Sequence, residues 1–167
     1  IEPDDRNALR MEFAARLLGP FGAQEDAIST LREVLEENPD HLEASTRLAD
    51  IFENAGRDEE LADLLRLQLD RARDRSDATA VATLSLRTGQ LYAKTRREEA
   101  MDAYRRAIAA KPLPEAILNL AVALDDAGRG AEARTQYRAF LEHADPRDPD
   151  REQVERRLAQ PGGSRGR

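Results

Sequence analysis

Two series of residues return in step along this chain of 167 residues, and their common period constrains the fold more tightly than anything else in it. The first is a small residue inside alternate helical segments: Ala15, Ala49, Gly89 and Ala121, at spacings of 34, 40 and 32. The second lies in the intervening segments, at Ala27, Leu61, Ala100 and Ala133, with spacings of 34, 39 and 33. Both lengthen at the same place, so a two-helix unit recurs four times with about six residues inserted between the second and third. Small residues at such points let two helices approach closely, and larger neighbours fill the space beside them: Leu48 with Phe52, Thr88 with Tyr92, Leu120 with Leu124. A helical bundle has no reason to keep a common period, whereas stacked repeats do, so the pattern predicts a solenoid.

The local pattern agrees. Apolar residues recur at three and four residue steps, as in Leu48, Ile51, Phe52 and Ala55, which is helical periodicity. Breaks fall at Gly19-Pro20, Asn38-Pro39-Asp40, Gly56-Arg57-Asp58, 73–77, 95–97, 111–114, 128–130 and 145–150. They leave eight segments of roughly 12 to 18 residues and a shorter ninth, and Asp40, Asp58 and Asp77 stand where N-caps are expected. No alternating strand pattern occurs. The 28 alanines and 21 leucines are what an all-α chain needs, and short connections make consecutive helices antiparallel.

These residues resemble the tetratricopeptide repeat family. The third unit carries Ala100, Tyr104, Ala107 and the closing Pro112. The fourth carries Leu120-Ala121, Leu124, Gly128, Ala133 and Tyr137. The second supplies Leu48-Ala49, Phe52 and Gly56, and the first Ala27, Leu31 and Asn38-Pro39. No unit has the family's tryptophan, Leu61 replaces its usual alanine, and the second unit runs into the Arg-rich stretch 69–77 where a proline is usual; lengthened helices are expected at that junction. The resemblance implies a right-handed α-solenoid of antiparallel helix pairs. We expect one domain over 1–160, with units at about 8–41, 42–81, 82–113 and 114–146 and a capping helix at about 149–160 that turns Val154 and Leu158 to one side. Residues 161–167 are expected to form a disordered tail. Nothing polar precedes the first helix to cap it, and the chain opens at Ile1, so further repeats or a domain are expected upstream.

In this family the first helix of each unit lines a concave groove. Equivalent offsets then form columns: Phe13, Arg47, Arg87 and Asn119; Arg16, Asp50, Gln90 and Val122; Asn54, Lys94 and Asp126. Within a helix, steps of three and four keep them on one face. Their amides and long cations suit an extended peptide backbone or a carboxylate, and Leu86, Leu118 and Val122 would add an apolar strip for an anchor. Family members that grip acidic chaperone tails use lysines, asparagines and an arginine; the corresponding places here hold Glu12, Arg16, Arg47, Thr83 and Arg87, and only Arg87 fits. That clamp is not expected.

Little in the chain suits catalysis. With no cysteine there is no thiolate nucleophile, disulfide or Cys-ligated metal, and His41 and His143 have no metal or nucleophile partner nearby in sequence. Glu36-Glu37, Glu59-Glu60 and Asp125-Asp126 are adjacent pairs that point about 100° apart on a helix, and read as solvated surface and caps. No phosphate loop or hydrolase motif occurs, so neither an enzyme nor a cofactor is expected. The net charge of -7 hides an asymmetry: residues 1–80 carry -10 and residues 81–167 carry +3. This leaves room for a partner of mixed charge or for head-to-tail self-association. It disfavours nucleic acid, which wants a dominant basic surface and stacking aromatics. No segment approaches the roughly 18 apolar residues of a membrane span, so no membrane insertion is expected. The leading expectation is a protein-binding scaffold or adaptor. Its alternative is an accessory region of a larger enzyme or cell-envelope machine, acting through the convex face or the ends of the stack.

Overall fold

The computed structural model describes residues 2–19 and 22–160. Among the described residues there are nine helices and no strand: α1 (Pro3–Leu18), α2 (Gln24–Glu37), α3 (Leu42–Asn54), α4 (Asp58–Asp74), α5 (Ala78–Tyr92), α6 (Arg97–Ala110), α7 (Pro114–Asp126), α8 (Gly130–His143) and α9 (Arg151–Ala159). Pro20 in the first break and the tail expected at 161–167 lie outside the described residues. The contacts divide into two compact units, Ile1–Leu64 and Leu65–Arg167.

In the first unit α1 packs on α2 and α2 on α3. Met11 and Ala14, then Ala27, Ile28, Leu31 and Val34, then Ala44, Leu48, Ala49 and Phe52 are buried, and Leu61 and Leu64 at the start of α4 join them. One marker departs from expectation. Ala15 is exposed, and its neighbour Ala14, fully buried, makes the close contact. Both are alanines, so composition could not separate them. The α2–α3 turn is an Asx turn, with the Asp40 N–H donating to Asn38 Oδ1 at 3.2 Å. The N-cap expected at Asp40 is instead His41, whose Nδ1 accepts from the Ala44 N–H at 3.2 Å. Asp58 is likewise the first residue of α4 rather than its cap. The buried Asn7 is satisfied by Arg10, whose Nη1 donates to its Oδ1 at 3.2 Å.

In the second unit α5 packs on α6, α6 on α7, α7 on α8 and α8 on α9. The core runs from Leu86 through Met101 and Tyr104, Ile117, Leu120 and Leu124, to Tyr137 and Phe140 and on to Val154 of α9. Here the markers Gly89, Ala100, Ala121 and Ala133 are all buried. Asp77 does cap α5, accepting from the Ala80 N–H at 2.9 Å. Three arginines fasten α9 and the end of α8. Arg134 donates to the carbonyls of Leu158 and Gln160, Arg151 to those of Leu141 and Ala144, and Arg157 pairs with Asp125 of α7. Val154 is thus buried on one side of a helix whose other residues are largely exposed.

Helices α3, α4 and α7 end alike. In each, a residue with positive φ donates to the carbonyl three positions back and its successor to the carbonyl five back, which satisfies two orphan acceptors. The residues are Gly56 (φ 65), Ser76 (φ 55) and Gly128 (φ 76). Ser76 alone carries a Cβ, in a region that costs an L-residue roughly 1–2 kcal/mol. Ser76→Gly should therefore raise stability by about 0.5–1 kcal/mol in urea unfolding, the strain relief exceeding the entropy glycine adds to the unfolded chain. A loss of stability would mean that the hydroxyl matters more than the backbone. The lengthening expected at this junction is shared by α4 at 17 residues and α5 at 15, against 14 and 13 in the preceding pair α2 and α3.

Candidate functional site

The small markers fix which side of each first helix is buried, and so which side is presented. In the first unit, counting from Ala14 rather than Ala15 moves the two column heads in α1 by one residue. The counterpart of Arg47 becomes Glu12 and that of Asp50 becomes Ala15; Phe13 and Arg16 leave the columns. An open cleft of about 540 Å³ lies where these residues meet, lined by Asp4, Asn7, Ala8, Met11, Glu12 and Ala15 of α1, Asn38 and His41 of the turn, and Glu43 and Arg47 of α3. Arg47 is already engaged: its Nε and Nη2 donate to Glu43 Oε1 at 3.1 and 2.8 Å. Asp50 and Asn54 are exposed further along α3.

In the second unit the candidate residues divide. Gln90 and Lys94 are exposed, Arg87 and Asn119 are half-buried, Val122 is 44% exposed and Asp126 is exposed at the end of α7. Gln90 Nε2 donates to Glu115 Oε1 at 2.7 Å, which joins α5 directly to α7, the two first helices of this unit. Leu118 packs partly against the core. Leu86 is 8% exposed and is a core residue, so it offers a partner almost nothing. Three residues before Gly89 it lies on the same side of α5 as the marker, which is why the helix carries it inward.

The acidic pairs do more than face solvent. One member of each takes an arginine from another element: Glu37 is held by Arg6 and Arg10 of α1, Glu60 by Arg57 and by Arg32 of α2, and Asp125 by Arg157 of α9. Adjacent residues point apart, so one carboxylate turns toward a neighbouring helix while the other stays outside. Hydrogen bonds from Arg6, then from Arg10, hold the Glu37 carboxyl below its ordinary value near 4.5, and Arg57 does the same for Glu60. A carboxylate with a depressed folded value contributes stability that is present above its unfolded pKa and lost as pH falls through the folded one. Glu37→Gln should accordingly show a shallower loss of stability than the wild type on acidification below pH ~4.5. Parallel acid limbs would mean that the Arg6–Glu37–Arg10 cluster adds nothing to folding.

No group of three or more His, Asp or Glu among the described residues is placed to hold a metal, and none of their helices is long and apolar enough to cross a membrane. The burial of Tyr104 and Tyr137 raises both phenols, with nearby carboxylates adding to it. These are core groups, not acids poised at an open site.

The profile of the tetratricopeptide repeat family matches residues 24–76 and 90–149. Among solved structures, the crystal structure of MamA is similar at 20% identity and a TM-score of 0.62, covering 82% of this chain and 75% of that one. MamA 41-end from Desulfovibrio magneticus RS-1 is similar at 16% identity and a TM-score of 0.59, covering 95% and 78%. At these identities the likeness shows the fold, an all-α solenoid of helix pairs. No curated protein matches the chain.

Proposed function

We propose, from the premise that this chain belongs to the tetratricopeptide repeat family, that it is a protein-interaction module binding a peptide segment or protein partner on the presented faces of α1, α3, α5 and α7. The fold generally mediates protein–protein interaction; the choice of these faces is our reading. One observation carries it. On α7 the residues Ala116, Ile117, Leu120, Ala121 and Leu124 are all buried, while Asn119, Val122 and Asp126 between and beyond them keep amide, methyl and carboxylate groups in reach of a partner. The open side of α7 thus combines an amide, a branched apolar side chain at 44% exposure and a carboxylate, a mixture that suits an extended peptide with one apolar anchor.

The test is capture from cell extract by immobilised protein, wild type beside Lys94→Glu/Val122→Glu. The double change should cut capture about ten-fold or more, because it removes the apolar anchor at 122 and opposes whatever the ammonium at 94 met. Helical circular dichroism should be unchanged, since both side chains are exposed. Undiminished capture would sink these faces as the binding surface.

A second reading, an accessory region held against neighbouring protein through the exposed apolar side of α1, is favoured by a different observation. Leu9 and Phe13 of α1 are 57% and 56% exposed, yet their counterparts Ala44 and Leu48 in α3, and Ala116 and Leu120 in α7, are buried. Phe13→Glu separates the two readings in the same capture experiment: it spares capture under the first and abolishes it under the second.

A further inference from the structure

We infer that the cleft of the first unit takes the basic side chain of a lysine- or arginine-bearing segment of a protein partner, an assignment that rests on the groove reading above and names its ligand there. The floor of the cleft is apolar and low. Ala8 and Ala15 end at Cβ and are exposed, with the buried Met11 between them, so a methylene chain can lie against α1 without displacing anything. The charged rim is acidic: Asp4, Glu12 and Glu43 stand against Arg47 alone. That arginine is bound twice by Glu43, so an incoming carboxylate would have to displace Glu43 and then face Asp4 and Glu12. An incoming ammonium or guanidinium meets Asp4 and can share Glu43 with Arg47 and Glu12 with Arg16, which stands 3.9 Å from it, as Arg6 and Arg10 share Glu37. Lysine and arginine match both features at once, with an aliphatic stem for the floor and a cationic head for the rim. The surrounding field has the same sign, since residues 1–64 hold 6 arginines and no lysine against 17 carboxylates. The candidate arginines by themselves suggest an acidic ligand; in this unit the cleft reverses that sign.

The experiment is a heteronuclear NMR titration of the 167-residue chain. The probes are three capped decapeptides of alternating alanine with lysine, glutamine or glutamate, with free spermidine as a fourth. The lysine peptide should move the amides of Ala8, Met11 and Ala15, and its affinity should fall about ten-fold in Asp4→Asn/Glu12→Gln/Glu43→Gln and again on raising salt from about 50 to 300 mM. All three positions are exposed, so the variant keeps the fold. Equal binding of the glutamate peptide at these amides, equal binding of spermidine, or indifference to the triple variant would each overturn the assignment. If no probe moves these amides while a captured partner still crosslinks to α5 and α7, the cleft fails and the groove reading stands. A partner crosslinking only to α2, α6 or α8 would remove both.

Discussion

Gly89→Ala should destabilise the second unit by about 2–3 kcal/mol, although on an ordinary helix the same change would help by about 1 kcal/mol. The reversal of sign comes from one ring. A Cβ at position 89 would stand 2.5 Å from Tyr104 Cδ1 and 2.9 Å from Cζ, and closer still to Cε1. Tyr104 is 3% exposed and cannot swing out without unpacking α6 from α5. The lost van der Waals fit therefore exceeds the gain in helix propensity. Urea unfolding of Gly89→Ala, Tyr104→Leu and the double variant measures this directly. The pair should be strongly non-additive, with Tyr104→Leu absorbing much of the penalty, because the smaller side chain vacates the space that the methyl needs. A neutral or stabilising Gly89→Ala would mean that α5 and α6 do not meet at this point, and the register on which every column of candidate residues rests would be wrong.

Phe140→Ala should cost the second unit about 3–5 kcal/mol, the range for emptying a buried aromatic site. Phe140 is 1% exposed and belongs to the core that α8 shares with α7 and α9. Its neighbours there include Leu124 and Val154, which are fixed in separate helices and cannot close on the space together. Val122→Ala on α7 is the matched control. At 44% exposure the valine supports no packed surface, and its truncation should stay within about 0.5 kcal/mol of the wild type. Similar costs for the two would contradict the division of α7 into a buried and a presented side.

Much of this architecture is legible in the residues. Gly89, Ala121, Ala100 and Ala133 mark the close helix contacts they were expected to mark, because a small residue at a crossing is fixed by a local steric demand that any neighbour would impose. Ala15 fails for the same reason. Where two alanines adjoin, either satisfies that demand, and the choice of Ala14 depends on how α1 is rolled against α2. Leu86 fails because one residue cannot be assigned to a helix face from chemistry alone when leucines serve both the core and an apolar anchor. His41 displaces Asp40 because the Asx turn at Asn38 delays the start of α3 by one residue, a detail of backbone geometry. The acidic pairs were legible as pairs but not as clamps, since Arg6 and Glu37 are 31 residues apart and their meeting depends on helix packing.

The cleft was the least legible feature. Its floor needs Ala8 and Ala15 on the presented side of α1, its rim needs Glu43 from α3, and the turn carrying Asn38 and His41 closes one end. None of these residues is unusual in its own stretch of sequence. The same roll of α1 that moved the marker from Ala15 to Ala14 also brings Glu12 and Ala15 beside Arg47. The corrected register and the cleft are thus one structural fact.

Site-specific photo-crosslinking tests the central claim, that the first helices present the binding face. A photoreactive residue at Val122 on α7, or at Arg106 on the exposed side of α6, is irradiated in native cell extract, so that the two positions differ in face but belong to the same unit. A discrete crosslinked partner from position 122 and none from position 106 is expected. A partner from position 106 with none from position 122 would contradict it.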